Sequence, residues 1–399
     1  MSKLQELIQR LCPDGVEYKK LGEICIFKRG DVLSSKDAVE GDVPVMAGGQ
    51  KPSCYHNVPN RKGETIVVAG SGAYAGFVTY WNIPVFVSDA FSVHPIDGLL
   101  PKYVFHYLKN NQAKIHATKK GAGVPHVHGK DIAKFLIPVP PLEVQEEIVR
   151  ILDSFDVYAA ELQAELQARK EQYEYYRNLL LTFNPAGCAG EADDEQEGSV
   201  TTWGEHSYPI QWKTMGEIGK IKMCKRVMKN QTTDRGDIPF YKIGTFGKKA
   251  DAFISRKIFD EYKRLYSYPR KGTILVSASG TIGRCVVYEG EEAYYQDSNI
   301  VWLDNDESIV LNTYLYHYYQ IVNWNTEGGT IKRLYNDRFA STPIPVPPLE
   351  LQEKIVAILD RFETLVNDLS EGLPAEIAAV KEQYEYYRNR LLTFKEKTA

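Results

Sequence analysis

Two segments of the chain carry apolar residues at alternating steps of three and four, the spacing of one face of an α-helix. The first series runs through Val144, Ile148, Ile151, Phe155, Tyr158, Leu162, Leu166, Tyr173, Tyr176, Leu180 and Phe183. The second runs through Leu351, Ile355, Ile358, Phe362, Leu365, Leu369, Ile377, Val380, Tyr384, Tyr387, Leu391 and Phe394. Pro140-Pro141 precedes the first series and Asn184-Pro185 follows it. Prolines at these positions predict one helix over 142–183. Gly372-Leu373-Pro374 predicts a kink in the second helix, or two helices in series.

The first series contains two consecutive steps of four, at a small internal repeat. Ala160-Glu-Leu-Gln163 is followed at once by Ala164-Glu-Leu-Gln167, which is typical of a coiled-coil seam with one four-residue stutter. A stripe this long would leave much apolar surface in water if each helix packed only on its own domain. We therefore favour antiparallel pairing of the two helices over that alternative. The residues expected to pair the helices or to dock a partner are Val144, Ile148, Ile151, Phe155, Leu162, Leu166, Tyr173, Tyr176, Ile355, Ile358, Phe362, Ile377, Tyr384 and Tyr387.

The stretches before these helices are rich in short β-branched or aromatic runs. The runs read as strands and are 65–69, 76–81 and 85–88 in the first stretch, and 273–276, 284–288 and 299–303 in the second. Helical segments are expected near 101–110 and 311–322. The first eleven residues predict a short amphipathic helix that ends at Pro13-Asp14-Gly15. Strands and helices in this order predict an α+β fold class.

The chain is a tandem repeat. Val139–Asp153 recurs at Val346–Asp360, and Lys170–Asn178 recurs without change at Lys381–Asn389. The stretches before the helices repeat only loosely. The predicted division is an N-terminal helix 1–13, a first block 14–138, a first repeated helical segment 139–183, an acidic linker 184–207, a second block 208–345 and a second repeated helical segment 346–399. Because the helical segments are nearly identical and the blocks diverge, we infer that the helices perform the same task in both copies, whereas the task of the blocks varies.

The net charge of the 399 residues is −4, and this total conceals an alternation along the chain. Residues 1–138 and the second block, 208–345, each carry a net charge of +5, whereas the two helical segments carry −5 and −3 and the linker −6. Two basic blocks are compatible with binding to a polyanion. With no apolar run long enough to span a bilayer and no signal region, we expect a cytoplasmic protein without a membrane partner.

Basic residues cluster with glycines and aromatic residues in predicted loops of both blocks. A Gly-rich basic loop precedes each helical segment, at 119–128 and at 327–334. Such groups neutralise phosphates and can read base edges, so we expect contact with double-stranded DNA. The candidate DNA-binding residues are Lys119, Lys120, His126, His128, Lys225, Arg226, Lys248, Lys249, Arg270, Lys271, Lys332 and Arg333.

Motifs for catalysis are weak. The glycines of 69–76 do not have dinucleotide-loop spacing, and they favour a tight turn between strands. Asp14, Glu17 and Lys19 superficially resemble the residue set of a nuclease active site, and we interpret this resemblance as chance. His126 and His128 have no third ligand nearby, so we expect no metal site. No adenine methyltransferase motif and no Walker loop occurs in the sequence.

The order of block, helix, block and helix, with the motif Pro-Pro-Leu-Glu-x-Gln at the start of each helix and Lys-Glu-Gln-Tyr-Glu-Tyr-Tyr-Arg near its end, resembles the specificity subunit (HsdS) of Type I restriction–modification systems. The Ala-Glu-Leu-Gln pair resembles the four-residue repeat of the family's IC-like branch. The resemblance implies two mixed α/β target recognition domains separated by a pair of long antiparallel helices, related by a pseudo-two-fold axis.

The resemblance also implies a non-catalytic chain within a larger enzyme. Its domains would read the two halves of a split DNA site, and its helices would dock two methyltransferase subunits and, through them, restriction subunits. No cofactor is expected on this chain, because S-adenosylmethionine, ATP and Mg²⁺ would be used by the partners. Two alternatives stay open: a stand-alone DNA-binding regulator, and a metal-dependent nuclease that uses Asp14, Glu17 and Lys19.

Overall fold

A computed structural model describes residues 3–34, 36, 38–121, 123–183, 199–203, 206–327 and 332–397. The chain divides into two compact units, the first made of Met1–Ala164 and Ala375–Ala399 and the second of Glu165–Pro374. Most of the predicted acidic linker and the tip of the second Gly-rich loop, 328–331, lie outside the described residues. Of the helices described, none has both the length and the apolar composition needed to cross a bilayer.

The strands of the first block are short and pair in three sheets. They are β1 (Glu17–Lys20), β2 (Cys25–Arg29), β3 (Val43–Met46), β4 (Cys54–His56), β5 (Thr65–Ala69), β6 (Val78–Trp81), β7 (Phe86–Val87), β8 (Ala90–Pro95) and β9 (Leu136–Val139). A four-stranded antiparallel sheet has the order β2-β8-β5-β6. A three-stranded sheet has the order β4-β3-β7 with β3 and β7 parallel, and β1 pairs with β9.

The second block repeats this arrangement. Its strands are β10 (Ser199–Trp203), β11 (His206–Thr214), β12 (Gly219–Lys222), β13 (Ile238–Tyr241), β14 (Phe253–Ile254), β15 (Ile274–Ser277), β16 (Cys285–Val287), β17 (Tyr294–Tyr295), β18 (Ile300–Asn305) and β19 (Pro343–Val346). The orders β12-β18-β15-β16 and β14-β13-β17 match those of the first block, including the parallel pair β13 and β17. The expected α+β class and tandem repeat are therefore confirmed.

Helices separate several of these strands along the chain, and they follow the last strand of each block. They are α1 (Lys3–Leu11), α2 (Leu21–Ile24), α3 (Pro101–Asn110), α4 (Gln112–Ala117), α5 (Gly129–Ile132), α6 (Leu142–Leu181), α7 (Met215–Ile218), a 3₁₀ helix (Lys229–Gln231), α8 (Arg256–Leu265), α9 (Asn312–Tyr319), α10 (Asn336–Ala340), α11 (Leu349–Asn367) and α12 (Leu373–Leu391). The helices expected near 1–11, 101–110, 311–322 and 142–183 are α1, α3, α9 and α6.

The second helical segment is two helices in series, as the glycine and proline predicted. α11 ends at Asn367 and α12 begins at Leu373. A β-carbon on residue 372 would collide with the carbonyl oxygens of Thr364 and Leu365 in the last turn of α11, so the close approach of the chain requires glycine there. Pro374 stands in the first turn of α12, where its missing N–H costs no helical hydrogen bond.

The predicted linker 184–207 is partly wrong. Its last residues form β10 and the start of β11, which pair from Ser199 opposite Ile210 to Trp203 opposite His206. The sequence Ser-Val-Thr-Thr-Trp is rich in β-branched and aromatic residues, which favour a strand. The acidic charge of 184–207 concealed this strand, because most of that charge precedes it in the sequence.

Each unit has its own apolar core centred on a buried strand. All residues of β5 and of β15 are buried. In the first unit, Val144, Ile148 and Leu152 of α6 join this core together with Leu392 from the C-terminal segment. The second core includes Ile355 and Leu359 of α11 together with Tyr173 from the distal half of α6. Each core therefore combines one block with parts of both repeated helical segments.

The two helical segments run antiparallel in the first unit. Phe155 of α6 packs on Tyr384 and Tyr387 of α12, with ring centroids 6.1 and 5.7 Å apart. One turn later in α6, the hydroxyl of Tyr158 donates a 2.6 Å hydrogen bond to Glu376. Because residue numbers rise along α6 while those of its contacts in α12 fall, the helices have opposite directions.

Candidate nucleic-acid interface

A tight turn follows the central strand of each four-stranded sheet. In the first block it spans 70–76 between β5 and β6, and in the second block 278–283 between β15 and β16. Gly72 and Gly76 have φ of 81° and 83°, and Gly280 and Gly283 have φ of 67° and 82°. These left-handed conformations favour glycine. The interpretation of the glycine pattern as a strand–turn–strand element is confirmed.

The first Gly-rich basic loop folds back on itself and onto this turn. The backbone of Lys120 and that of His126 exchange two hydrogen bonds, of 2.9 and 2.8 Å. The N–H of Val127 donates to the carbonyl oxygen of Gly70, and the N–H of Gly72 donates to that of Pro125. The loop is thus held beside the turn by backbone hydrogen bonds.

The second Gly-rich loop repeats three of these four backbone hydrogen bonds. Glu327 and Arg333 exchange two hydrogen bonds, of 3.0 and 2.8 Å, and the N–H of Leu334 donates to the carbonyl oxygen of Ala278. These bonds make Glu327 the counterpart of Lys120 and Arg333 the counterpart of His126. Loop and turn therefore form one structural element that occurs once in each block.

An ion pair closes the base of each loop, with its charges exchanged between the blocks. In the first block, Lys120 Nζ lies 2.7 Å from a carboxylate oxygen of Asp131, and this hydrogen bond lowers the pKa of Asp131. In the second block, Arg338 donates to the carboxylate of Glu327. The same two positions thus hold a pair of opposite polarity. The predicted DNA contact Lys120 already has a partner inside the protein.

A serine at the turn contacts a polar side chain that stands directly before the neighbouring strand, β8 or β18. The hydroxyl of Ser71 donates to the carboxylate of Asp89. In the second block, the hydroxyl of Ser279 donates to Asn299 Oδ1 at 2.8 Å. Asp89 and Asn299 are counterparts, because the N–H of Gly70 bonds to Asp89 O and that of Ala278 to Asn299 O. Sequence reasoning missed both residues.

A cavity of about 630 Å³ opens beside these residues in the first block. Its walls include Arg29, Asp89, His126, His128 and Lys130. The rings of the two histidines are almost parallel, at 7°, with centroids 6.4 Å apart. The cavity therefore offers one carboxylate among several basic groups, and it suits a polar, anionic ligand better than an apolar one.

Most of the predicted basic residues are exposed, but they do not share one surface. Arg226 pairs with Asp297 at 2.8 Å, two residues from Asn299. Arg270 pairs with Asp304 at 2.7 Å, at the other end of β18. Arg270 and Lys271 precede β15, whereas the turn that contacts Arg333 follows it.

The other predicted contacts lie in separate places. Lys119 is half-buried, and its Nζ donates to the carbonyl oxygen of Ala73 at 3.2 Å. Lys225 lies over the ring of Tyr266 at 4.9 Å. Lys248, Lys249 and Lys332 are exposed in loops.

One Tyr–His–Asp group in each unit joins the block to both helical segments. In the first unit, His106 Nε2 lies 3.1 Å from Asp153 of α6, and its Nδ1 lies 3.3 Å from the hydroxyl of Tyr384 in α12. Burial lowers the pKa of His106, which favours its neutral form, with one ring nitrogen donating and the other accepting. Asp153 also pairs with Lys102 at 2.5 Å.

The second unit holds the same group. His317 Nε2 lies 2.7 Å from Asp360 of α11, and its Nδ1 lies 3.5 Å from the hydroxyl of Tyr173 in α6. Tyr173 and Tyr384 were predicted as helix-pairing residues, and each also reaches a histidine of the block. The repeat of Lys170–Asn178 gave a signal for the tyrosines, but the histidines lie outside any repeated motif noted in the sequence.

Several of the predicted helix-pairing residues do contact the other helical segment. Besides Phe155, these are Tyr173 and Tyr176, whose rings lie 6.4 and 5.6 Å from that of Phe362. Ile377 lines a cavity with Phe155 between α6 and α12. Leu166 packs against the second core, and Leu162 is buried.

Other predicted helix-pairing residues belong to the core of a block. Val144, Ile148 and Ile355 are fully buried in those cores, and Ile151 packs against the first of them. Ile358 is half-buried, and its neighbour Leu359 is fully buried. In the same way, Leu152 is fully buried beside Ile151. A simple two-helix seam is thus an incomplete description, because each helix packs on a block as well as on another helix.

The proposed nuclease residues do not form a compact group with a third ligand. Glu17 and Lys19 pair with each other at 3.1 Å in the exposed strand β1. Among the described residues, the His and carboxylate groups close enough to share a metal ion are His106 with Asp153 and Asp156, and His317 with Asp360 and Glu363. Neither group contains Asp14 or Glu17.

Comparison with known proteins gives a consistent result. A family model described as the Type I restriction modification DNA specificity domain matches residues 13–171 and 209–379. The chain is 42% identical to a putative type I restriction enzyme specificity subunit of Haemophilus influenzae, over 95% of this chain and 96% of that protein. It is 31% identical to the EcoR124I/EcoR124II specificity subunit of Escherichia coli, over 74% and 71% of the two chains. The crystal structure of a Type I restriction–modification S subunit from M. genitalium has a similar fold, with a TM-score of 0.56 at 16% identity over 95% of this chain and 96% of that one.

Proposed function

The chain belongs to the family of Type I restriction modification DNA specificity proteins, and from this premise we propose that it recognises a two-part DNA site. Each block reads one half of the site. The helical segments fix the distance between the halves and dock two adenine-methyltransferase subunits, through which ATP-dependent restriction subunits join. The chain itself is non-catalytic, and S-adenosylmethionine, ATP and Mg²⁺ act on the partner subunits.

The observation that carries this proposal is the repeated loop-and-turn element. Both blocks hold it with three corresponding backbone hydrogen bonds, on sheets of the same strand order. The side chains that it presents differ, with His126 in one block and Arg333 in the other. A common frame with different polar side chains is what two readers of unlike sequences require, because base edges are distinguished by donor and acceptor patterns.

The helical segments support a constant docking role. Their repeated residues contribute the tyrosine and the aspartate of each Tyr–His–Asp group, and they make aromatic contacts within each unit. Large apolar side chains of α6 nevertheless stay exposed, among them Val157, Tyr175 and Leu179. An exposed apolar face on a repeated helix is typical of a surface that binds another protein.

The test is reconstitution of the complex with the methyltransferase subunits encoded with this chain. We expect a stable complex that holds two methyltransferase copies per chain, measured by native mass spectrometry. Methylated adenines, mapped in DNA of random sequence, should define two half-sites separated by a spacer of fixed length. Tight, sequence-specific binding by the chain without a partner would instead support the regulator. Cleavage of DNA by the chain with Mg²⁺ alone, abolished in Glu17→Gln, would support the nuclease.

A further inference from the structure

The loop-and-turn element has two places, each at a corresponding position in both blocks, where the side chain differs in chemistry between the blocks. The first place holds Asp89 or Asn299, bonded to the turn serine. The second holds His126 or Arg333, in the β-bridge opposite that same serine. We infer that these two places determine which base pair each block recognises. The inference rests on the proposed function and names the residues that carry its specificity.

The surroundings separate frame residues from these two places. The turn serine is the same in both blocks, and it is buried, with 9% of Ser71 and 6% of Ser279 exposed. The ion pair at the loop base occupies the same two positions in both blocks with its charges exchanged, and we assign it the role of holding the loop. Asp89 and Asn299, and likewise His126 and Arg333, differ between the blocks and are at least partly accessible.

Accessibility supports contact with a ligand. His126 and Arg333 are exposed, and Asp89 lines the cavity of about 630 Å³ together with His126. Within the described residues, the guanidinium of Arg333 forms no ion pair, although that of Arg338 nearby does. An arginine held by its backbone and free at its side chain is prepared to donate to an acceptor outside the protein.

Backbone strain gives independent support in the second block. Ser298, directly before Asn299, has a φ of 54°, and it is the one non-glycine residue with a left-handed φ in the described part of the chain. Such a conformation costs free energy, and it is found preferentially at functional sites.

The chemistry of each pair indicates the base edge that it would recognise. Arginine donates two parallel hydrogen bonds to guanine O6 and N7, and asparagine pairs with adenine N6 and N7. A carboxylate accepts hydrogen bonds from the amino group of cytosine or adenine and repels acceptor edges. The second block is therefore suited to guanine next to adenine. The first block is suited to a strand that presents cytosine or adenine at this place, because the amino groups of these bases donate to the carboxylate.

The experiment transplants the second block's pair into the first. The variant Asp89→Asn with His126→Arg is assembled with the methyltransferase subunits, and its methylated sites are mapped beside those of the wild type. We expect the first half-site to change at one or two neighbouring base pairs, with a preference shifted by roughly 10-fold or more. The second half-site and the spacer should stay the same. The reciprocal variant, Asn299→Asp with Arg333→His, should alter only the second half-site.

A matched control alters the frame instead of the two places. Lys120→Glu with Asp131→Arg gives the first block the ion-pair polarity of the second, and we expect it to leave both half-sites unchanged. The inference is overturned if the swapped pairs leave the half-sites unchanged, or if both abolish methylation while this control retains it. A wild-type complex that methylates no two-part site would refute the proposed function, which is a different result.

Discussion

Two basic pairs in the second block look alike in the sequence but differ in their surroundings. Arg270 precedes β15 and pairs with Asp304, which also accepts from Lys222. Lys332 and Arg333 lie beyond the other end of β15, where Arg333 faces the turn at Ser279. A charge already neutralised within the protein releases fewer counterions from DNA than one that is not.

Salt dependence should therefore separate these residues. We expect Lys332→Ala to weaken DNA binding by the assembled complex for all sequences and to reduce the slope of log affinity against log salt by roughly one. Arg270→Ala should leave the slope unchanged, and it serves as the matched control. Fluorescence anisotropy at several salt concentrations measures both slopes. Equal slopes for the two variants would remove Lys332 from the interface.

Among the elements, the helices followed most directly from the sequence. A periodic pattern repeated over many turns fixed α6 within a few residues, and the glycine and proline located the break between α11 and α12. The three-stranded sheets could not be predicted in the same way. Of their strands, only β7 lies in a predicted run, 85–88. β17 has two residues, too few for a periodic signal, and the pairing of both strands depends on distant segments.

The candidate interface was predicted in part. The sequence identified both basic loops, because glycine, lysine and arginine cluster there. It gave no sign of Asp89 or Asn299, since these become relevant only when the fold brings the start of β8 or β18 beside the turn. Nor could the spacing of charges show that Lys120 and Arg226 have partners within the protein.

A buried glutamine fixes the start of each helical segment on its block. Gln145 in α6 accepts from the N–H of Leu100 at 3.0 Å and donates to the carbonyl oxygens of Gly98 and Pro140. Gln352 in α11 has the same three kinds of contact, with Leu311, Ile309 and Pro347. Both side chains are fully buried. They connect the helix start, the loop before α3 or α9 and the Pro-Pro segment.

Removing either side chain should be costly, because buried backbone groups would lose their partners. We expect Gln145→Ala and Gln352→Ala each to lower the free energy of unfolding by about 2–4 kcal/mol. Gln167→Ala, on the exposed face of α6, is the control, and its change should stay within about 0.5 kcal/mol. Urea unfolding followed by circular dichroism measures all three. A loss below about 1 kcal/mol for both buried glutamines would contradict their role.

At the scale of the whole molecule, α6 is a single helix that begins in the first unit and ends in the second. Asp153 in its first half bonds to His106, and Tyr173 in its second half approaches His317. The Ala-Glu-Leu-Gln pair lies between these two attachment points. The number of residues in this stretch sets the length and the rotation of α6 between Asp153 and Tyr173.

Deleting Ala164–Gln167 should shorten the spacer of the recognised site and leave both half-sites unchanged. Four residues account for about 6 Å of helix and about 400° of rotation, so Tyr173 would return to within about 40° of its original face. Deleting only Glu165 and Leu166 removes about 200° and would turn Tyr173 to the opposite face, so we expect that variant to lose methylation. Mapping of methylated adenines measures both outcomes. If the four-residue deletion altered the half-sites and left the spacer unchanged, α6 would not set the distance between them. Shortening a helix that sets this distance changes the spacer and leaves the bases read at its ends the same.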